Sequence, residues 1–97
     1  MLLPIKVKLI DSNLKTFLKK FQEKELTIQF DEDKKIAYLD DGYQKTKSSK
    51  IAHIQKNISK YLLITTIEKE TGIAKNTFKF ELLESADNNI PKKLLIA

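Results

Sequence analysis

The sequence predicts an α+β fold, in which an N-terminal strand–helix–β-hairpin packs with a C-terminal trihelical unit. Three observations carry that expectation. Apolar residues alternate singly from Ile5 to Leu9 and from Leu26 to Phe30, the period of two that sends successive side chains to opposite faces of a strand. Apolar residues recur at spacings of three and four from Leu14 to Phe21 and again from Ile51 onward, the period of an amphipathic helix. Charge divides where the periodicity changes: residues 1–41 carry eight lysines against eight acids, whereas 42–97 carry ten lysines against five acids. The chain thus reads as a strand–helix–hairpin part, 1–41, and a basic trihelical part, 42–97. With 97 residues and 41% hydrophobic content the two belong to one compact unit, because there is apolar material for one core and not comfortably for two.

Ile5, Val7 and Leu9 alternate with Lys6 and Lys8, which marks a half-buried strand. Asp11 or Ser12 can cap a helix after it, and from Asn13 to Lys24 the residues Leu14, Phe17, Leu18 and Phe21 form one apolar stripe with lysines opposite. This strand plus helix resembles the opening of a ribbon-helix-helix repressor, a family that requires a second helix where this chain has alternation. Leu26, Ile28 and Phe30, then Ile36 and Tyr38, predict a β-hairpin whose loop is Asp31-Glu32-Asp33-Lys34-Lys35. Those three carboxylates lack the glycine and spaced downstream ligands of a calcium loop, so they read as a solvated hairpin tip.

Tyr43 to Ser49 is a polar, lysine-rich connector without hydrophobic period, either a boundary or an arm that orders on a phosphate backbone. Beyond it, Ile51, Ile54, Ile58 and Tyr61 or Leu62 predict a helix capped by Ser48 or Ser49. Two shorter helices come after it. Thr65 and Glu68 have the spacing of a capping box, and Gly72 can take the left-handed conformation that ends a helix and turns the chain. Phe78 and Leu82, four apart, would face the core of the last helix, with Lys75, Asn76 and Lys79 on another face. Phe80 interrupts that division; a core contact is the first reading for it, a dimer or inter-half contact the second, and a thymine-methyl contact the third. Asp87-Asn88-Asn89 would end the helix, Pro91 keeps the chain extended, and Leu94 to Ala97 can form one strand.

Thr71-Gly72-Ile73, then Ala74-Lys75-Asn76, then Thr77-Phe78, resembles the helix-turn-helix superfamily of bacterial and phage regulators, over residues 64–82 only. An αα-hairpin that only packs is the competing reading. Ala74 stands where that family usually has a serine cap, so Asn76 would cap the second helix instead. The resemblance implies a small DNA-binding protein, with a helix-turn-helix or winged unit, regulating transcription as a homodimer on double-stranded DNA. Lys75, Asn76, Thr77 and Lys79 would meet the major groove. Lys45, Lys47, Lys50, Lys56 and Lys60, in a stretch free of acids from Gly42 to Ile67, would contact phosphates. A solvated basic face kept for solubility is the alternative for those lysines.

Composition narrows the rest. The net charge is +5, and all eighteen cations are lysine, so base reading would lean on Asn, Thr, Lys and shape rather than on bidentate arginine. No apolar run approaches a membrane span, and Met-Leu-Leu-Pro-Ile is too short for a signal peptide, so a cytoplasmic protein without membrane contact is expected. The absence of cysteine suits a reducing compartment. His53 is the sole histidine, and Ser48, Ser49 and Ser59 lack a nucleophile signature. No catalytic residue, metal or cofactor is therefore assigned. Two other functions compete: a protein-binding adaptor or phage-type inhibitor that docks through a sheet edge and Phe80, and an accessory domain of a replication protein.

Overall fold

Alternation organises both parts of the chain, and the architecture is mostly β. The computed structural model describes residues 3–40, 49–56, 60–67, 73–84 and 89–96. Within them the order is β1 (Ile5–Ser12), α1 (Lys15–Phe21), β2 (Glu25–Asp31), β3 (Ile36–Asp40), β4 (Ser49–Lys56), β5 (Tyr61–Ile67), β6 (Ala74–Leu82) and β7 (Leu95–Ile96). From β1 to β6 each strand pairs antiparallel with its sequence neighbour, and β6 pairs antiparallel with β1. Six strands therefore close into a meander barrel. Its shortest seam is β3–β4, held by Ile36↔Lys50 and Ala37↔Ser49. Beyond that seam β4 runs past the β2–β3 turn and takes β7 as a parallel neighbour at Ile54 and Gln55.

The barrel interior is filled by the inward members of each alternating strand. Ile5, Val7 and Leu9 of β1 meet Leu26, Ile28 and Phe30 of β2, Leu62 and Ile64 of β5, and Phe78, Phe80 and Leu82 of β6 in one cluster. A small barrel has room for side chains only, so burial of this apolar surface is its main source of stability. One end is closed by α1, where Phe17 lies 4.8 Å from Phe21 and 5.2 Å, edge to face, from Phe78, measured between ring centroids. Buried Ile90, Pro91 and Leu94 join the core from the segment before β7, and the Leu94 carbonyl accepts the Ile54 amide at 2.8 Å.

In the first part the early strand, a helix and the hairpin are present; the helix is shorter at both ends than 13–24, and the hairpin loop is 32–35, because Asp31 still pairs with Ile36. The helix stops because Gln22 bridges to Leu9 and Glu23 takes a left-handed φ of 62°, its amide donating to the Leu9 carbonyl. At the hairpin tip the Asp31 carboxylate accepts the Lys34 amide at 3.2 Å, a local turn bond of the kind short acidic side chains favour. Neither Asp11 nor Ser12 is the helix cap; that position is Leu14, whose amide donates to Ser12 Oγ.

The trihelical part is corrected outright. Residues 49–56, 61–67 and 74–82 are strands, so there is no helix-turn-helix at 64–82, winged or otherwise, and α1 is the one α-helix among the described residues. Two coincidences of spacing account for the difference. Ile51 faces Thr66 while His53 faces Thr65, so β4 carries an extra residue between them, and this bulge turns both Ile51 and Ile54 inward although they lie three apart. Phe78 and Leu82, four apart, fit two strand periods as well as one helical turn. Phe80 between them decides the matter: only 1% exposed, it completes the inward alternation of β6. Thr65 lies in β5 rather than at a helix start. Ile58, Glu68, Gly72 and the 43–48 connector lie outside the described residues. The single strand expected at 94–97 is β7.

Candidate functional site

A void within the barrel is too small for a ligand. The void between Ile28, Ala37, Ile64, Thr66 and Phe80 measures about 10 Å³, space for a single water at most. On the outer surface a groove of about 320 Å³ lies where β1 runs into α1 beside β6.

This groove arises from a register row and a clamp. Leu63 of β5, Lys79 of β6 and Asp11 of β1 are neighbours in one row across three strands, because Lys79 is paired with both of the others. The β1–β6 register shifts between Leu9 and Asp11, which re-aims the end of β1 at the point where the chain leaves the sheet. Ser12 and Asn13 then hold that exit against β6. Ser12 Oγ donates to the Thr77 carbonyl at 2.8 Å and accepts the Leu14 amide at 3.1 Å, while Asn13 Oδ1 accepts the Thr77 amide at 2.9 Å. Asp11 Oδ1 accepts the Ser12 amide at 2.8 Å. The result is a trough of mixed polar and apolar lining, with Leu63 on β5 and Lys15, the first residue of α1, in its wall.

Charge around the trough is mixed within the sheet and basic on the helix. Lys8 faces Glu81 and Asp11 faces Lys79, opposite charges directly across the ladder, an arrangement that favours the pairing modestly. Helix α1 carries Lys15, Lys19 and Lys20, all exposed, with no acid in its first turn. Tyr61, half-buried on the outer side of β5, is paired with Glu81 and so lies diagonal to Lys79. The Lys79 ammonium accordingly sits 4.6 Å above the centre of the Tyr61 ring, a cation–π contact.

Of the residues expected to contact DNA, only Thr77 and Lys79 line this groove. Lys75 is in β6. Asn76, also in β6, is half-buried and its carbonyl accepts Thr66 Oγ1 at 3.5 Å, so it does not start a reading helix. Lys50 pairs with Ile36 at the seam, Lys56 pairs with Leu62 at the end of β4, and Lys60 precedes β5 with a φ of 77°. These three do not line the groove. Lys45 and Lys47 lie outside the described residues. Sequence reasoning missed Asp11, Asn13, Lys15, Tyr61 and Leu63. The polar run Asp11-Ser12-Asn13 after a strand was a usable sign, since such side chains bond nearby backbone, but its partner strand was not visible.

Among the described residues no helix is long and apolar enough to cross a membrane. Comparison with protein-family models, with curated proteins and with solved structures finds no match to this chain.

Proposed function

We propose that this protein binds single-stranded nucleic acid, without a cofactor and in the cytoplasm, on the outer face of β5–β6 and in the groove beside it. The observation that carries the reading is the Lys79–Tyr61 pair at the lip of that groove. An aromatic ring next to ammonium groups is what an unpaired strand requires, since a base can stack on the ring while phosphates meet the cations. A base arriving on Tyr61 would displace the Lys79 ammonium from the ring and leave it to a phosphate. The net charge of +5 adds long-range attraction for polyanions.

Major-groove reading of a duplex loses its element, because Lys75, Asn76, Thr77 and Lys79 belong to a strand in a closed sheet and not to a projecting helix. The two-fold dimer that a palindrome would demand is no longer required. An adaptor docking through Phe80 has no surface either, that ring being inside the barrel.

The test is fluorescence anisotropy of labelled single-stranded 15-mers, with a duplex for comparison, across a salt series. Each lysine that meets a phosphate should contribute about 0.7 to the slope of log affinity on log salt, so Lys15→Ala with Lys79→Ala should flatten it by about 1.4. Tyr61→Ala should weaken binding by about 1–3 kcal/mol, the worth of one stacked base. No binding at low salt, or an unaltered slope in the double variant, would overturn the proposal.

A further inference from the structure

Resting on that reading, we infer that the groove selects guanine as the base it admits. A trough built only to hold a phosphate would not place a carboxylate in its wall, because the two anions repel. Asp11 is in that wall, exposed, with Lys79 paired beside it on β6 and Lys15 at the start of α1. The division of charge puts phosphates at the ammonium groups and a donor-rich group at the carboxylate. In an unpaired strand the Watson–Crick edge of each base is open to side chains. Guanine alone presents two adjacent donors there, N1–H and N2–H, which match the two oxygens of a carboxylate. Cytosine and adenine each offer one amino group beside a ring acceptor that would face the anion, and thymine offers one N–H between two carbonyls.

Groups already committed narrow the choice further. Ser12 Oγ is engaged with the Thr77 carbonyl and the Leu14 amide, and Asn13 Oδ1 with the Thr77 amide. Asp11 Oδ1 also accepts the Ser12 amide, but a carboxylate has further lone pairs on both oxygens, so it remains the strongest acceptor in the wall. Leu63 gives the base an apolar contact, and the volume of about 320 Å³ suits one nucleotide unit.

The experiment compares thymine pentamers bearing one central guanine, adenine, cytosine or thymine, as DNA and as RNA, on the native chain and on Asp11→Asn. GMP and AMP serve as competitors, to separate a free nucleotide from a base within a strand. The guanine pentamer should bind about tenfold more tightly than the others, in either sugar series or both, a ratio typical of one bidentate base contact. Asp11→Asn presents one acceptor and one donor, which match adenine and cytosine as well as N1–H and O6 of guanine, so it should lose that preference. Its thermal midpoint, measured alongside, should stay near that of the native chain, because the Ser12 amide can still bond the amide oxygen. Equal affinity for all four pentamers would overturn the guanine inference while leaving strand binding intact. A guanine preference that survives in Asp11→Asn, or tight binding of GMP without the pentamers, would overturn it as well. Failure of every oligonucleotide to bind would remove the underlying reading too.

Discussion

The β2–β3 hairpin and the β4–β5 pair use similar residues, yet they keep register in different ways. In the hairpin five successive pairs run unbroken from Thr27↔Asp40 to Asp31↔Ile36, and inward residues sit two apart. In β4–β5 the ladder steps between Ile51 and His53, and the inward residues of β4 sit three apart. The step lies next to the β3–β4 seam. A bulge bends its strand and raises the local twist, so β4 can close on β3 at one end and still run on to meet β7 at the other. Regularity serves the hairpin because its ends are held by a short turn. Irregularity serves β4 because it must join three neighbours.

Length changes would break this comparison most sharply. One alanine inserted between Ile28 and Gln29 would reverse the facing of residues on one side of it, expelling buried side chains such as Phe30 from the core. With about 1.5–3 kcal/mol for each large side chain exposed, a loss of more than about 3 kcal/mol is expected in urea unfolding. Deleting Ala52 removes the extra residue of the bulge and leaves Ile51 and Ile54 at a spacing of two, both still able to face inward. That change should cost less than about 2 kcal/mol. Equal costs would show that bulge and hairpin are equally strict about register.

A smaller effect tests the clamp between β1 and β6. Ser12→Ala removes the bond to the Thr77 carbonyl and the one from the Leu14 amide, in a residue that is itself buried. It should lower stability by about 1–3 kcal/mol. It should also weaken oligonucleotide binding, since the groove wall would no longer be held against β6; a variant that loses stability but binds with native affinity would detach the clamp from the site. Least of all, Asp31→Ala removes one exposed turn bond to the Lys34 amide and should change the stability measured in urea by no more than about 1 kcal/mol.

The first part of the chain was legible because its apolar residues alternate regularly. Ile5/Val7/Leu9 and Leu26/Ile28/Phe30 alternate without a bulge, and a charged turn separates the hairpin strands, so local pattern and final structure agree. The second part misled because a bulge imitates the helical spacing at Ile51 and Ile54, and because a residue four along fits either period. Phe80, the residue that resisted the helical reading, was the informative one. Apolar side chains at Phe78, Phe80 and Leu82, two apart and all buried, spell one face of a strand.

Of the residues the sequence offers for DNA contact, only Thr77 and Lys79 line the groove, and it offers those two for the wrong reason. Lys79 matters because strand pairing sets it beside Asp11, from the opposite end of the chain, and diagonal to Tyr61.

The sequence alone determined which side chains would seek the interior, that the chain would make an early strand, a helix and a hairpin, and that lysine would dominate its surface. Tertiary structure decided the rest, through closure of β1 on β6 and of β3 on β4. Hydrophobic period is a local property and reports sidedness, whereas bulges and pairings between distant strands are set by the geometry of closing a sheet. No window of neighbouring residues carries that information.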